Sequence, residues 1–207
     1  MLDNKKVIIG YSGHAYVVAE SYISKGNTLE YYTDFFKLEN NPFNLIYLGC
    51  ESDTNFRGWD MRLAFILGIG DNNLRYKVSQ LLLSKSQIIE PVIDPNSIIS
   101  KSANIGLGVF ASKGVLVNAI SKIGDFTILN TGCIIEHECE ISTAVHIAPG
   151  AVLAGNVKIG KRTFIGANSV IKQDVEIGDD VIIGAGSVII NNISSNTKIV
   201  GNPGRII

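Results

Sequence analysis

The chain contains three histidines, and one of them stands beside a carboxylate in a pattern suited to proton transfer. His137 precedes Glu138 in the segment Glu136-His137-Glu138-Cys139. An imidazole accepts a proton near neutral pH, as a general base must. A neighbouring carboxylate can hold the imidazole in one tautomer and raise its basicity. The pair therefore predicts a general base at His137 that is oriented by Glu138.

The element that positions this pair is a six-residue repeat in the second half of the chain. Starting at Ile93, every sixth residue is aliphatic through seventeen successive repeats, and the residue four places further on is nearly always small or β-branched. Neither an α-helix nor a simple strand has a period of six. The repeat predicts a parallel β-helix over residues 92–194, a triangular prism with three faces in each 18-residue coil.

The place of a residue in the repeat predicts where its side chain points. Ile135 and Cys139 fall at inward places, so the imidazole of His137 should lie outside the prism. Gly155 follows His137 by 18 residues and should stack beside it, with its N–H free for a developing oxyanion. Cys133 also points inward, which argues against an acyl-cysteine intermediate and favours direct attack in a ternary complex.

The first ninety residues predict a Rossmann-like βαβ domain, joined to the β-helix domain of residues 91–207 near Pro91 and Pro95. The segment 51–62 is polar and has no assignment. The predicted strands are 7–9, 29–33, 45–48 and 64–69, and the predicted helices are 15–25 and about 70–83.

Several polar and glycine residues follow these predicted strands, where open α/β sheets bind ligands. The loop from Gly10 to His14 lacks a GxGxxG fingerprint, yet a glycine turn before a helix presents N–H groups to an anion. Ser12 suits phosphate or sugar hydroxyls, and Asp34 suits a ribose or an amine. The predicted substrate-binding residues of this domain are Ser12, Gly13, His14, Asp34 and Gly70.

Composition excludes other classes of protein. The 18 Lys and Arg residues against 19 Asp and Glu give a net charge of −1, without the basic surplus of a nucleic-acid binder. The 46% hydrophobic content excludes disorder, and the apolar run near the start is too short for a signal peptide or membrane span. Three cysteines without a CxxC argue against disulfides or a zinc knuckle. We therefore expect a cytoplasmic protein without nucleic-acid partners or a membrane span.

The whole chain resembles the hexapeptide-repeat acyltransferases, and in particular the bacterial nucleotide-sugar N-acetyltransferases. Besides the repeat, the shared features are the Gly-x-Ser-Gly-His opening, the Glu-His-Glu-Cys segment and the ending Gly201-Asn202-Pro203-Gly204-Arg205, with Gly204 where alanine is usual. The UDP-4-amino-sugar enzymes of the bacillosamine pathway are examples. The resemblance implies a left-handed β-helix and a homotrimer with active sites between adjacent prisms.

The resemblance also implies roles for individual residues. Acetyl-CoA would be the co-substrate and a nucleotide-linked amino sugar the acceptor, without a metal. His137 and Glu138 would be catalytic, His14 would face the sugar, and Asn130 would be a polar contact in the active site. His146, expected near a corner of the prism, would lie close to the thioester. Contacts with acetyl-CoA are implied for His146, Gly155, Ala167 and Ala185.

Three alternatives have a different chemistry. The related sialic acid O-acetyltransferases acetylate a hydroxyl group instead of an amine. A zinc carbonic anhydrase of the β-helix type needs three histidine ligands in the prism, where only His137 and His146 occur. A non-catalytic assembly module would not need the His–Glu pair. The sequence leaves open the nucleotide (UDP, dTDP or GDP), the amino sugar and the pathway.

Overall fold

A computed structural model describes residues 4–207. The first part of the chain forms a parallel sheet, the N-terminal sheet, in the order β3-β2-β1-β4-β5. The order reverses between β1 and β4, and a helix follows each of these two strands. The strands are Lys5–Ile9 (β1), Tyr31–Thr33 (β2), Ile46–Tyr47 (β3), Leu63–Leu67 (β4) and Ile88–Ile89 (β5), and the helices are Gly13–Ser24 (α1) and Asn72–Ser84 (α2).

These elements confirm the predicted order and correct some of its boundaries. Helix α1 begins at Gly13, two residues before the predicted start, and β2 begins at Tyr31 rather than at residue 29. The unassigned segment 51–62 consists of turns and a 3₁₀ helix, Arg57–Asp60. Its Trp59 packs against Phe65, with ring centroids 5.9 Å apart. The segment is held by individual contacts of this kind, and its sequence has no periodic pattern from which they could be predicted.

From Val92 onward the chain forms a triangular prism with three parallel sheets. The docking sheet, which faces the N-terminal domain, contains Val92–Ile93 (β6), Phe110–Ala111 (β9), Ile128–Leu129 (β12), His146–Ile147 (β15), Phe164–Ile165 (β18), Ile182–Ile183 (β21), Lys198–Val200 (β23) and Arg205–Ile206 (β24). The apolar sheet contains Ile98–Ile99 (β7), Leu116–Val117 (β10), Ile134–Ile135 (β13), Val152–Leu153 (β16), Val170–Ile171 (β19) and Val188–Ile189 (β22). The charged sheet contains Asn104–Ile105 (β8), Lys122–Ile123 (β11), Glu140–Ile141 (β14), Lys158–Ile159 (β17) and Glu176–Ile177 (β20).

The coils stack with an 18-residue register, as the repeat predicts. Ile135 pairs with Leu153, and both are fully buried in the aliphatic core of the prism. Every sixth residue from Gly108 to Gly186 has a φ between 55° and 70°. This left-handed conformation turns the chain at each corner, and it favours the glycine, Asn and Asp residues found at many of these positions. Corner residues 18 apart therefore form three straight columns along the prism.

The last coil departs from this register, and the predicted end of the β-helix at residue 194 is wrong. Ile193 forms a bridge with Ile177, and Ile182 pairs with Lys198, so both spacings are 16 residues. The shortened coil moves the aliphatic positions out of phase with the six-residue repeat. The docking sheet continues through β23 and ends with β24, which pairs antiparallel to β23.

Helix α2 is fixed to the prism by two polar side chains that contact one corner column. The guanidinium of Arg75 donates from Nε to the carbonyl oxygen of Phe126 (2.7 Å) and from Nη2 to that of Ala144 (2.9 Å). Asn72 Nδ2 donates to the carbonyl oxygen of Arg162 at 2.9 Å. These three acceptors are corner residues of successive coils. One helical turn, which we call the corner clamp, therefore holds three stacked coils.

Every hydrogen-bond acceptor of Arg75 is an uncharged oxygen. Nη1 donates to the carbonyl oxygens of Gly70 (2.9 Å) and Ile69 (3.2 Å), and Nη2 also donates to the side chain of Asn72. The side chain is almost completely buried, and this burial lowers the pKa of Arg75 to about 9. A buried cation is tolerated when its N–H groups all have acceptors. Arg75 therefore ties α2, the loop after β4 and the prism together.

Replacing Arg75 tests this arrangement. Arg75→Met leaves several buried carbonyl groups without donors, so the free energy of unfolding should fall by about 2–4 kcal/mol. The stability of Arg75→Lys should lie between that of the wild type and that of Arg75→Met, because an ammonium group cannot reach carbonyls on two coils at once. Thermal and urea unfolding measure both effects.

The control is Lys77→Met, an exposed position on the same helix, which should change stability little. Equal stability of the Arg75→Met and Lys77→Met variants would contradict the clamp.

Candidate active site

A cavity of about 610 Å³ lies between the N-terminal domain and the docking sheet. We call it the interdomain cavity. It brings together four of the predicted site residues, His14, Gly70, Asn130 and His146, although they are far apart in the sequence. The remaining lining residues are Val17, Asp71, Asn72, Asn73, Arg162, Phe164, Asp180 and Ile182.

The hydrogen bonds of His146 define its tautomer. Its Nε2 is 3.1 Å from Nδ2 of Asn130, whose Oδ1 accepts the N–H of Thr131 at 2.8 Å. The amide nitrogen of Asn130 is therefore the donor and Nε2 is the acceptor. The ring proton lies on Nδ1, in agreement with a hydrogen bond between the ring and the backbone of Gly70. His146 is the first residue of strand β15, two residues after the corner residue Ala144 and so near a corner as expected, and its side chain projects from the face of the docking sheet.

His14 faces His146 across the interdomain cavity, with ring centroids 6.1 Å apart. Burial, with the nearby charge of Arg75, lowers the pKa of His14 to about 4 and that of His146 to about 3. Both imidazoles are therefore neutral at neutral pH. Nε2 of His14 is buried and has no hydrogen-bond partner among residues 4–207. The charged groups at the cavity margin are Asp71 and the paired Arg162 and Asp180.

His137 lies elsewhere, at the corner between the apolar and charged sheets. Its Nδ1 is 3.0 Å from Oε2 of Glu138, and about half of each side chain is exposed. A Cβ atom at Gly155 would lie 2.6 Å from Nε2 of His137, so the imidazole ring lies directly over this glycine. Within residues 4–207, the N–H of Gly155 donates no backbone hydrogen bond. The corner thus combines an oriented imidazole with an available N–H group.

A second cavity, of about 260 Å³, lies at the carboxyl edge of the N-terminal sheet, where the strand order reverses. We call it the switch-point cavity. Ser12 and Asp34 line it, while Gly70 and Asp71 line both cavities. Asp34 holds two loops, because its Oδ2 accepts the N–H of Tyr11 (2.9 Å) and its Oδ1 that of Phe35 (2.7 Å). Gly13 is the first residue of α1, and a Cβ atom built on it would have no neighbouring atom within 4 Å.

One chain does not bring all the candidate residues together. Ala167 and Ala185 lie 18 residues apart at the corner between the docking and apolar sheets. The group of His137, Glu138 and Gly155 lies at the opposite edge of the apolar sheet. The two halves of the candidate site are therefore separated by one face of the prism.

The two cysteines of the repeat are enclosed in the prism, as predicted. Burial raises the pKa of Cys133 to about 12 and that of Cys139 to about 11. Thiols in this state are poor nucleophiles. In the part of the chain that the structure describes, no group of three or more His, Cys, Asp or Glu residues could hold a metal ion. No helix of residues 4–207 combines the length and hydropathy needed to cross a membrane.

Sequence reasoning missed the polar residues that assemble the interdomain cavity. Arg75 and Asn72 place the α2 loop against the prism, and Phe164 packs on the ring of His146 at a centroid distance of 5.1 Å. One signal was present in the sequence. The buried stripe of α2 runs from Asn72 through Arg75 to Val78 and Leu82, so two polar residues occupy places where an amphipathic helix normally has apolar ones.

Comparisons with known proteins agree with this architecture. Residues 5–82 match the family described as the PglD N-terminal domain, and residues 156–191 match the bacterial transferase hexapeptide (six repeats). The chain is 31% identical to a perosamine N-acetyltransferase from Caulobacter crescentus, solved as a histidine-to-asparagine variant with CoA and GDP-perosamine. That match covers 98% of this chain and 96% of the other, with a TM-score of 0.92.

Two further structures have the same fold. The acetyltransferase domain of PglB from Neisseria gonorrhoeae, in complex with acetyl coenzyme A, is 29% identical over 99% of this chain and 100% of its own, with a TM-score of 0.92. WeeI from Acinetobacter baumannii matches with a TM-score of 0.87 at 24% identity, over 98% of this chain and 99% of its own. These likenesses confirm the predicted fold, a Rossmann-like domain followed by a left-handed parallel β-helix.

The two neutral imidazoles predict a loss of stability in acid. The pKa values of His14 and His146 are lowered in the folded chain from 6.5 to about 4 and about 3. Between these values and 6.5 the unfolded chain binds more protons, so acidification favours unfolding. The free energy of unfolding should fall by up to about 1.4 kcal/mol per pH unit for each histidine below pH 6.5.

Thermal unfolding between about pH 4.5 and 7 measures this dependence. A variant with both His14→Asn and His146→Asn should lose much of the slope. The matched control is His137→Asn, whose side chain is half exposed and which should retain the slope. An identical slope in the wild type and the double variant would show that the buried histidines do not cause it.

Proposed function

Because the chain belongs to the hexapeptide-repeat nucleotide-sugar N-acetyltransferases with a PglD N-terminal domain, we propose that it acetylates the amino group of a nucleotide-linked amino sugar, with His137 as the general base. The chain is an acetyl-CoA-dependent acyltransferase. The His137–Glu138 pair above Gly155 carries the proposal, because amide formation from a thioester requires a proton acceptor beside the attacking nitrogen.

The geometry of this corner suggests a direct transfer. In this proposal Glu138 accepts a hydrogen bond from Nδ1–H of His137, which leaves Nε2 with its lone pair for the acceptor amine. As the amine nitrogen attacks the thioester carbonyl carbon, Nε2 takes one proton from the nitrogen. The N–H of Gly155 is placed to donate to the carbonyl oxygen as it becomes negative. The C–S bond then breaks, and the proton on Nε2 passes to the CoA thiolate.

In this proposal residues 1–90 bind the nucleotide sugar and residues 91–207 bind acetyl-CoA. The switch-point cavity would take the nucleoside, and the free N–H groups at the start of α1, beside Ser12, would meet the phosphates. The sugar would reach the interdomain cavity past Gly70, which lines both cavities. There the neutral imidazole of His14, whose Nε2 has no partner among residues 4–207, would meet an uncharged group of the sugar, while His146 is held by Asn130 and the backbone of Gly70.

The proposal includes a homotrimer in which each site is built from two chains. The outer surface of the apolar sheet supports the trimer. One residue of each strand forms a row on this surface, all residues of the row are aliphatic, and Ile98 at its end is 69% exposed. The equivalent row of the charged sheet forms ion pairs, such as Lys122 with Glu140 (2.9 Å). A threefold contact through the apolar sheet would bring the His137 corner of one chain near the docking sheet of the next. The row consists of Ile98, Leu116, Ile134, Val152, Val170 and Val188.

Loss of the proposed base should affect turnover and not cofactor binding. His137→Ala should lower kcat by roughly 100- to 10,000-fold, the range for removal of a general base, while acetyl-CoA affinity is kept. Glu138→Gln should cost less, because Glu138 orients the imidazole and does not transfer the proton. The matched control is Glu136→Gln, which removes the carboxylate on the other side of His137 in the sequence. This variant should retain activity.

Release of free CoA thiol from acetyl-CoA, with a panel of nucleotide amino sugars, measures turnover. Wild-type turnover in His137→Ala would refute the assignment of the base. A hydroxyl analogue that is acetylated faster than the corresponding amino sugar would favour the sugar O-acetyltransferase instead.

A further inference from the structure

The lining of the switch-point cavity suits a flat, uncharged ring, and we call the cavity a slot below. Its walls include the aliphatic residues Ile9, Ile69, Leu74 and Val78, and the phenyl ring of Phe35, which is 64% exposed, borders it. Exposed aromatic rings stack on nucleobases. No lysine, arginine or histidine of residues 4–207 lines the cavity. It is therefore better suited to a nucleobase than to phosphate groups.

Glu51 gives this slot a directional hydrogen-bonding group. The residue is 9% exposed, and its Oε2 accepts the hydroxyl proton of Thr33 at 2.8 Å. Its Oε1 accepts no hydrogen bond from residues 4–207, and the side chain lines the cavity. A carboxylate accepts hydrogen bonds and cannot donate them when ionised, so a ligand that displaces water from Oε1 must supply a donor in its place. A ligand that fits here should therefore present N–H groups to Glu51.

Of the other two carboxylates of the cavity, Asp34 has both oxygens engaged, and Asp71 has one oxygen engaged and is an exposed residue. Both oxygens of Asp34 accept backbone N–H groups, and Asp71 caps α2 by accepting the N–H of Leu74 at 2.7 Å. Together the three acids repel phosphates, which would lie at the start of α1 beside Ser12. Glu51 is thus the buried carboxylate of the cavity that has an oxygen without a hydrogen bond from residues 4–207.

We infer that Glu51 reads the base of the nucleotide sugar and selects guanine. Guanine presents two adjacent donors, N1–H and N2–H, on one edge, which match the two oxygens of a carboxylate. Uracil and thymine present a single N–H between two carbonyl oxygens, and these oxygens would face the carboxylate oxygens. The inference deepens the proposed function and rests on it, because it assigns the acceptor substrate to the GDP-linked amino sugars.

Binding of free nucleotides tests the inference without acetyl transfer. Calorimetry with GDP, UDP and dTDP should give GDP an affinity roughly 10- to 100-fold above that of the other two, the range expected for one bidentate base contact. In Glu51→Gln the amide N–H₂ would face a guanine donor, so the preference for GDP should disappear. The amide oxygen can still accept the Thr33 hydroxyl, and thermal unfolding will show whether the fold is kept. Glu39→Gln, an exposed change of the same kind in the same domain, should keep the preference.

The outcomes separate this inference from the proposed function. Equal or tighter binding of UDP or dTDP, no binding of any of the three, or an unchanged preference in Glu51→Gln would overturn the guanine assignment. Acetylation of a UDP-linked amino sugar that depends on His137 would leave the proposed function standing while the assignment of the base fails. Selective GDP binding by a protein that acetylates no nucleotide amino sugar would support the role of Glu51 and contradict the proposed function.

Discussion

The buried guanidinium of Arg75 connects the parts of the molecule on which the candidate site depends. Taking a cation out of water costs several kcal/mol, and here hydrogen bonds to neutral oxygens, two of them on successive coils of the prism, offset part of that cost. The same guanidinium binds the carbonyl oxygen of Gly70, whose backbone in turn contacts the ring of His146. Its charge also helps to keep His14 and His146 neutral. Domain docking and the electrostatics of the interdomain cavity therefore have a common origin.

The prism provides the other constraint, since an 18-residue coil fixes which residues are neighbours. His137 and Gly155 meet because they are one coil apart, and the clamp holds three coils because corner carbonyls form a straight column. The same regularity separates His137 from the interdomain cavity by the width of one apolar sheet. A single chain thus holds two half-sites on different edges. An oligomer that buried the apolar sheet would join these halves, and this is the physical reason for proposing a shared site.

This regularity also explains how much of the structure could be predicted from the sequence. In a stacked repeat, spacing along the chain converts directly into distance, so the prism, the inward Cys133 and the contact between His137 and Gly155 were predictable. Arg75 was not, because its partners are backbone oxygens 51 and 69 residues away, and a carbonyl group has no sequence signature. The slip to 16 residues in the last coil and the place of Glu51 also depend on tertiary packing. The strand ends predicted that Ser12, Asp34 and Gly70 would bind ligand, and they line the switch-point cavity, but Glu51 lies in the segment that had no assignment.

The most direct measurement of the central claim, that one site is built from two chains, is complementation between inactive variants. His137→Ala and His146→Ala chains carrying different tags would be co-expressed, and mixed oligomers purified through both tags. In a cyclic trimer with shared sites, each mixed oligomer has one intact pair of histidines, so CoA release should recover to about a third of the wild-type rate. If both histidines act within one chain, no mixed oligomer has an intact site. Assembled mixed trimers without recovered activity would contradict the account.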